Sequence, residues 1–451
     1  MTIETIVNQQ RTFFLTHQSI PVSFRIQQLK RLHQQIIRYE DDILKALKED
    51  LNKNEFEAYA TEIGMVYNEL KYMLRNIHKL TKKKDYASPI MHFPSKSMTY
   101  QDPYGCVLIM SPWNYPFQLT MTPLIGAIAA GNCVVVKPSN DSSATTRVIR
   151  EILSVFPDEY ICLVEGGRNE NQALLDQKFD YIFFTGSPKV GKIVMEKAAK
   201  NLTPITLELG GKSPCIVEKS ADIDLAAKRI VWGKLLNAAQ TCVAPDYLWV
   251  QKDVCDQLIE AMKKYADIFY TSHPELNKDY PKIINQHHFE RLCRLVKDEA
   301  LVNTDTRQIG LTIIKDVSWD SEVMQEELFG PILPVMCFES IEEVITTLNT
   351  KEKPLALYLF TTSKSIETKL MKHSFFGGGC VNDVIIHVAN HHIPFGGIGN
   401  SGLGSYHGAY SFHTFSHTKS IMKKSNLLDL SIRYAPASKF KLWVVRKLLS
   451  K

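Results

Sequence analysis

The sequence lacks the features that mark a membrane-spanning or disulfide-rich protein. No apolar run reaches the length of about 18 residues that a helix needs to cross a bilayer. The nine cysteines occur singly, without a CxxC pair, and so indicate neither a disulfide framework nor a zinc site. The first residues contain no basic segment followed by an apolar one, which a secretory signal would require. We therefore expect a cytoplasmic protein.

The sequence also has little excess of charge of one sign. The 53 Lys and Arg residues nearly balance the 48 Asp and Glu residues, which leaves a net charge of +5 over 451 residues. Such a diluted charge does not indicate a nucleic-acid interface, so we expect no nucleic-acid partner. The chain also shows no internal repeat, and its length exceeds what one hydrophobic core organises. We expect more than one domain.

Short apolar runs alternate with helical stretches along most of the chain. Apolar residues between Ser23 and Leu51 recur at helical spacing and predict an amphipathic helix, and a second helical stretch reaches about Leu80. The later apolar runs form two sets, the first at 107–110, 134–136 and 181–184, and the second between 215 and 388. Continuously apolar strands alternating with helices are typical of doubly wound parallel sheets, so we predict an α/β fold with two such domains.

One cysteine and one glutamate have surroundings that suit chemistry. Cys242 lies in the small-residue segment NAAQTCVAP (237–245), where a substrate has room to approach a thiolate nucleophile. Glu208 ends a strand-like run before two glycines, where partial desolvation can raise its pKa and make it a general base. By composition alone, an inert packing cysteine and an exposed strand-end glutamate are the commoner interpretations.

Together, the segments around Glu208 and Cys242 resemble the aldehyde dehydrogenase superfamily. Four further motifs carry the resemblance, namely SPWNYPF (111–117), FTGSPKVG (184–191), EELFGP (326–331) and PFGGIGNSG (394–402). Within the superfamily the chain is similar to the shorter class 3 branch, which includes fatty and aromatic aldehyde dehydrogenases and bacterial relatives. The resemblance covers nearly the whole chain and implies the aldehyde dehydrogenase-like fold.

Residue by residue, the resemblance implies a reaction and three catalytic residues. Cys242 would attack the aldehyde, Asn114 would donate a side-chain N–H to the oxyanion, and Glu208 would activate the water that hydrolyses the thioester. The implied product is the carboxylic acid. Two alternatives stay open: a dehydrogenase that transfers the acyl group to coenzyme A, and a catalytically silent binding protein on the same fold.

The resemblance also implies a site for NAD or NADP. The segment 184–191 follows an apolar run and opens a helix, whose N-terminal N–H groups suit a pyrophosphate. The implied cofactor-binding residues are Lys137, Ser139, Asn140, Gly186, Ser187, Val190, Gly191, Glu327 and Phe329. Asn140 stands where the family often has a glutamate that repels the 2′-phosphate of NADP. We therefore expect that NADP is accepted beside NAD.

Aromatic residues near these motifs suggest an apolar substrate. Trp113, Tyr115 and Phe395 would line a tunnel suited to medium-chain, long-chain or aromatic aldehydes. Substrate identity beyond this class does not follow from the residues.

Two other signals are set aside. The glycines of GIGNSG (397–402) do not follow an apolar strand, so we interpret them as tight backbone packing rather than a dinucleotide motif. His387, His391 and His392 lie on a predicted loop without zinc-like spacing, so we expect no metal.

The motifs also divide the chain. The predicted parts are a dinucleotide-binding domain (1–84 and 106–207), a catalytic domain (208–411), a β bridging or oligomerisation element (85–105 and 412–425) and a tail (426–451). The resemblance implies a homodimer in which the bridging element extends a neighbour's sheet. A solvated linker explains residues 85–105 equally well.

The tail ends in KFKLWVVRKLLSK (439–451), which combines five cations with large apolar residues and contains no acid. It is too short to span a bilayer, but such a segment can bind an anionic membrane surface. Docking on the protein itself or on a partner subunit is at least as good an explanation. The membrane interpretation would add a peripheral contact at the inner membrane face to the cytoplasmic location.

Two positions depart from the family pattern. Ala239 replaces the glycine that usually precedes the Gln-x-Cys, which adds a methyl group beside the nucleophile loop. Residues 301–317 are shorter and less regular than the corresponding region of the family. We expect altered loop flexibility at the first position and irregular structure at the second.

Overall fold

Strands and helices alternate along residues 2–296 and 300–449, the part of the chain that this computed structural model describes. The strands are β1 (Lys84–Tyr86), β2 (Ser95–Pro103), β3 (Cys106–Met110), β4 (Cys133–Lys137), β5 (Ile161–Leu163), β6 (Tyr181–Thr185), β7 (Ile205–Glu208), β8 (Pro214–Val217), β9 (Tyr247–Gln251), β10 (Val302–Asn303), β11 (Gln308–Ile309), β12 (Thr312–Ile314), β13 (Ile332–Phe338), β14 (Ala356–Phe360), β15 (Gly378–Val381), β16 (Gly402–Leu403) and β17 (Ser416–Lys424). The helices are α1 (Ile3–Leu15), α2 (Val22–Arg38), α3 (Glu40–Leu51), α4 (Glu55–Ala58), α5 (Gly64–Thr81), α6 (Gln118–Ala130), α7 (Ser143–Leu153), α8 (Arg168–Leu175), α9 (Pro188–Ala199), α10 (Ile223–Leu235), α11 (Cys255–Tyr270), α12 (Gln286–Val296), α13 (Ile341–Leu348), α14 (Lys364–His373), α15 (Ala409–Thr414) and α16 (Lys439–Leu449).

The helix expected between Ser23 and Leu51 is in fact two helices, α2 and α3, that meet at Tyr39. Tyr39 leaves helical geometry with φ −104° and ψ 14°. Three acidic residues, 40–42, then open α3, and acidic side chains favour a helix N-terminus because they interact with its dipole. The apolar spacing continues across the break, so spacing alone does not reveal it.

The first parallel sheet has the strand order β16, β7, β6, β3, β4, β5. Every pair is parallel except β16 with β7. Strands β3, β4 and β6 are buried along their whole length, as their continuously apolar sequences predict. From β3 the chain moves outward through β4 to β5 and then returns to the other side of β3 with β6. Ligands of such sheets bind at the carboxyl ends of the strands beside this reversal.

The second parallel sheet has the order β12, β13, β9, β8, β14, β15. All of these strands run parallel to their neighbours. Residues 301–317 supply only the short strands β10, β11 and β12, in agreement with the expected irregularity. The two parallel sheets with their flanking helices confirm the predicted α/β fold.

A small antiparallel sheet joins the two segments for which a bridging element is predicted. Strand β2 pairs with β1 on one side and with β17 on the other. Most side chains of β17 are exposed, as are those of β1. The domain boundaries themselves stay a prediction.

The tail forms the helix α16. Each side chain of this helix, Lys439–Leu449, is at least partly exposed in the described part of the chain. Residues 450 and 451 of the predicted tail lie outside the described residues. Within residues 2–296 and 300–449, we find no helix that combines the length and the apolar character needed to cross a membrane.

Candidate active site

Four strands of the first sheet end at one edge and deliver the predicted residues there. Met110 is in register with Lys137, and Thr185 is in register with Glu208. The segment that contains Asn114 follows β3, and Gly186 follows β6. Because carboxyl ends of parallel strands meet at one sheet edge, these motifs converge although they lie far apart in sequence.

Glu208 ends β7 as a buried carboxyl group, only 3% exposed. Neither carboxylate oxygen has a hydrogen-bond partner among the described residues. Burial therefore raises the pKa of Glu208 well above its ordinary value. A carboxylate whose pKa is raised binds a proton more strongly than an ordinary one, which is the property that a general base needs.

Cys242 lies in a loop with an uncommon backbone, between α10 and β9. Asn237, Ala238 and Ala239 have positive φ angles of 51°, 49° and 59°. The left-handed region costs about 1–2 kcal/mol for each L-residue that adopts it. Contacts from elsewhere in the protein must therefore stabilise this loop.

Hydrogen bonds join the loop to the Asn114 segment. The Asn114 Nδ2 donates to the Gln240 carbonyl oxygen at 3.0 Å, and the Asn237 Nδ2 donates to the Asn114 carbonyl oxygen at 2.8 Å. The Tyr115 hydroxyl is 2.6 Å from the Thr241 hydroxyl. The structure thus brings Asn114 beside the Cys242 loop.

The Cys242 side chain is partly exposed, yet it is deep enough for its surroundings to oppose ionisation. Burial raises the pKa of the thiol, and the carboxylates of Glu327 and Glu208 raise it further. The backbone N–H groups of Cys242 and Val243 act in the opposite direction. Three acidic groups therefore compete for protons within one cluster.

The EELFGP segment (326–331) reaches the same cluster. The backbone N–H of Leu328 donates to Asp246, four residues after Cys242, at 2.9 Å. Burial and Asp246 raise the pKa of Glu327 to about 8. A Cβ on Gly210 would lie 2.1 Å from the Glu327 carboxylate, so only glycine allows this approach.

Most of the residues predicted for the cofactor follow strands of the first sheet, whereas Glu327 and Phe329 come from the segment before β13. Ser187 caps α9 by accepting the Val190 N–H at 3.4 Å, and Lys189 and Val190 in the first turn of this helix are exposed. The N-terminal turn fits the pyrophosphate of a dinucleotide, because its N–H groups and dipole favour an anion. Gly191 is buried on the same helix.

The predicted ribose contacts lie at the end of β4 and directly after it. Lys137 ends β4, where burial lowers its pKa, and its Nζ donates to the Pro138 carbonyl oxygen at 2.7 Å. Ser139 accepts the Asp141 N–H and so begins the short turn at Asn140, which is exposed.

The predicted aromatic pocket is only partly open. Trp113 is half-buried, and its ring packs edge to face against that of Phe329, with the ring centroids 5.3 Å apart. Tyr115 is buried with its hydroxyl on Thr241, and Phe395 is buried against Tyr406 at 5.8 Å. A tunnel lined by Trp113, Tyr115 and Phe395 stays a prediction.

The GIGNSG glycines (397–402) do not open a helix. Gly402 has a φ of +152° and pairs with Glu208 in β16, where a Cβ would lie 2.4 Å from the Leu207 carbonyl oxygen. This close backbone approach agrees with the tight packing predicted for these glycines.

Sequence reasoning missed three charged residues behind the site. Lys53, Glu57 and Glu62 are all nearly inaccessible to solvent and contact the Asn114 and Asn237 segments. Charged residues within helical stretches usually face solvent, so composition gives no signal for them. Tyr358, whose hydroxyl donates to the Val243 carbonyl oxygen at 2.5 Å, is equally silent in the sequence.

The fold and this cluster define a class of protein, an oxidoreductase with a dinucleotide edge beside a cysteine and a buried carboxyl group. Comparison with known proteins agrees. The model of the "Aldehyde dehydrogenase family" matches residues 1–421, and the chain belongs to that family. It is an NAD(P)-dependent aldehyde dehydrogenase, and neither alternative from the sequence analysis is favoured.

Several relatives are similar over nearly their whole length. A 4,4′-diaponeurosporen-aldehyde dehydrogenase of Staphylococcus aureus is 45% identical over 97% of this chain and 98% of its own. A dimeric NADP-preferring aldehyde dehydrogenase of Canis lupus familiaris is 42% identical over 96% of this chain and 98% of its own. Aldehyde dehydrogenase family 3 member A2 of Rattus norvegicus is 42% identical, with 97% and 92% covered.

Solved structures share the fold. The substrate-bound state of Staphylococcus aureus AldH has a TM-score of 0.97 at 44% identity, covering 100% of both chains. A putative aldehyde dehydrogenase, PutA of Anabaena variabilis, has a TM-score of 0.85 at 25% identity, covering 96% of this chain and 94% of its own.

Proposed function

We propose that Cys242 is the nucleophile, Asn114 an oxyanion donor and Glu208 the general base of aldehyde oxidation. The observation that carries the proposal is the 3.0 Å hydrogen bond between the Asn114 amide and the Gln240 carbonyl. It fixes Asn114 two residues from Cys242, in a cluster whose third member is the unpartnered Glu208 carboxyl group.

In the first step, the Cys242 thiolate bonds to the carbonyl carbon, and the carbonyl electron pair moves onto oxygen. One of the two Asn114 amide hydrogens is used by Gln240, which leaves the other for this oxyanion. The Cys242 backbone N–H is the second donor. Donors fixed before the reaction stabilise the developing charge without reorganising.

The dinucleotide would contact Lys137, Ser139 and Asn140 on one side and the first turn of α9, Gly186 to Gly191, on the other. Glu327 and Phe329 would contact its nicotinamide end. When bound, it supplies the acceptor for the hydride that leaves the substrate carbon.

In the last step, Glu208 takes a proton from water while the water oxygen bonds to the acyl carbon and the C–S bond breaks. This releases the carboxylic acid and restores the Cys242 thiolate. Because burial raises the pKa of Glu208, the base is active only at a pH above that raised value. Product analysis tests water as acceptor: the acid must form at the same rate with and without coenzyme A.

For the substrate, we propose apolar aldehydes of medium or long chain, or aromatic ones. The half-buried Trp113 beside Phe329 supports this class, and one similar protein is named for a carotenoid-derived aldehyde. Aldehydes of graded chain length should show kcat/KM rising with length. A preference for acetaldehyde would contradict the proposal.

We propose a homodimer that uses the small antiparallel sheet. Among residues 2–296 and 300–449, strand β17 pairs only with β2, and an open strand edge is a template for pairing with another chain. A similar protein is named as dimeric. Light scattering should give twice the chain mass, and Met422→Asp on exposed β17 should shift it toward the monomer; a monomeric wild type would refute the proposal.

We also propose a cytoplasmic location with a weak, peripheral contact to the inner membrane face through α16. This helix exposes Phe440 and Trp443 by 69% and 53%, and its cations suit anionic lipid. Sedimentation with anionic vesicles should carry down the wild type but not Trp443→Glu. Equal binding to neutral vesicles, or none to either, would contradict the proposal.

A further inference from the structure

A buried ion pair lies directly behind the Asn114 segment. The Lys53 Nζ is 2.6 Å from Glu62 Oε1, and both side chains are fully shielded from solvent. The Lys53 Nζ also donates to the Asn114 carbonyl oxygen at 3.0 Å. On the other side, Glu62 Oε2 accepts the N–H groups of Phe117 and Gln118 at 2.9 and 3.1 Å. The pair therefore fixes residues 114–118 at both ends.

A second carboxyl group reaches the Cys242 loop. Glu57 Oε1 accepts the Asn237 N–H at 2.8 Å, at the first of the three left-handed residues. Asn237 in turn donates to the Asn114 carbonyl oxygen. Glu57 lies two residues before a π-helical turn at Tyr59–Ile63, and Glu62 lies within this turn, a form that is frequent at functional sites.

Stability alone does not explain this arrangement. A buried ion pair contributes little net stability, because desolvation offsets most of its attraction, and apolar residues of the same size often do better. These three charged residues instead contact backbone groups of two loops that bear the reacting side chains. A purely packing role would not require that pattern.

We infer that Lys53, Glu57 and Glu62 are positioning residues, which fix the Asn114 amide and the Cys242 loop at the separation that the first step of the reaction needs. They act through the backbone of the Asn114 and Asn237 segments. The inference rests on the proposed function, since it assigns those two side chains to the same step.

The main test compares Glu57→Ala with Glu57→Gln, whose amide oxygen still accepts the Asn237 N–H. Displacing a reacting group by about 1 Å costs on the order of 100-fold in rate. We expect Glu57→Ala to lose about 10- to 100-fold in kcat with an unchanged KM for NAD(P), and Glu57→Gln to restore most of it. Rates are normalised to the protein fraction that binds NADH, measured by fluorescence.

Asp180→Ala is the matched control, because Asp180 also accepts a backbone N–H, that of Cys106 at 2.9 Å. Cys106 begins β3, at the opposite end of the strand from the site. The control should lower the melting temperature without lowering normalised kcat. If Glu57→Ala behaves like this control, or if Glu57→Gln loses as much kcat as Glu57→Ala, the inference is wrong.

The ion pair offers an independent check through Lys53→Met, Glu62→Gln and the double variant. Residues that act as a unit show non-additive losses, so the double variant should lose no more kcat than the worse single one. If the kcat losses of the two single variants add in the double variant, Lys53 and Glu62 do not act as a unit. Assaying Cys242→Ala in parallel separates the two proposals. Aldehyde oxidation by Cys242→Ala would refute the proposed function. If Cys242→Ala is inactive but Glu57→Ala has normal activity, only the positioning inference is refuted.

Discussion

The carboxyl edge of the first sheet and the Cys242 loop place reacting groups in opposite ways. Lys137 and Glu208 end regular strands in register with their neighbours, so local sequence and sheet pairing decide their positions. Cys242 instead follows three residues in left-handed conformation, in a loop that depends on Asn114 and Glu57. The positions of Lys137 and Glu208 therefore depend on backbone pairing between strands. The position of Cys242 depends on individual side chains far away in sequence.

The largest expected effect comes from removing the nucleophile of the loop. Cys242→Ala should lower NAD(P)H formation by at least about a thousandfold, since no other group in the cluster can form the thioester. The absorbance of the NAD(P)H formed measures the loss. Cys337→Ala, at an exposed cysteine of β13, is the control and should keep full activity; normal turnover by Cys242→Ala would refute the mechanism.

On the sheet edge, Glu208→Gln should lower steady-state turnover by about 10²–10⁴-fold, the usual loss of a general base. The first turnover should survive, because thioester formation precedes the hydrolysis, so rapid mixing should show a burst of NAD(P)H. In the wild type, hydrolysis should accelerate as pH rises through the raised pKa of Glu208. A Glu208→Gln enzyme that keeps this pH dependence would assign it to another group.

At the adenosine end of the same edge, Asn140→Glu should make the enzyme discriminate against NADP. The new carboxylate repels a 2′-phosphate, and we expect kcat/KM for NADP to fall about 10-fold, or about 1.4 kcal/mol, with little change for NAD. Asn140→Gln controls for side-chain length. A wild type that already prefers NAD strongly would show that Asn140 does not confer tolerance.

The smallest effect concerns the backbone of the loop. Ala239→Gly relieves a left-handed φ worth about 1–2 kcal/mol, but it removes a buried methyl group worth about 0.8 kcal/mol and adds about 0.5–1 kcal/mol of backbone entropy cost. The unfolding free energy should therefore change by less than about 1 kcal/mol. A large stabilisation in denaturant titration would mean that the loop is strained in this chain.

The sequence allowed prediction of the sheet edge far better than of the loop. Apolar runs ending at Met110, Val136 and Phe184 predict buried strands, and the parallel pairing of these strands then brings the motifs together. The left-handed residues 237–239 give no such signal, since two of them are alanines. The buried Lys53 and Glu62 escape prediction because burial depends on the tertiary partner, and an amphipathic helix pattern cannot specify it.

The pairing of β16 with β7 has a consequence for biosynthesis. Residues 402 and 403 complete the sheet beside Glu208, although most strands of that sheet lie in the first half of the chain. A polypeptide emerges from the ribosome N-terminus first. The nascent chain therefore contains the strands of the dinucleotide edge long before it contains β16, the strand beside the general base Glu208. A chain that stops before residue 402 would carry both Cys242 and Glu208 but would lack the strand that pairs with Glu208, so we expect it to form the thioester without hydrolysing it efficiently.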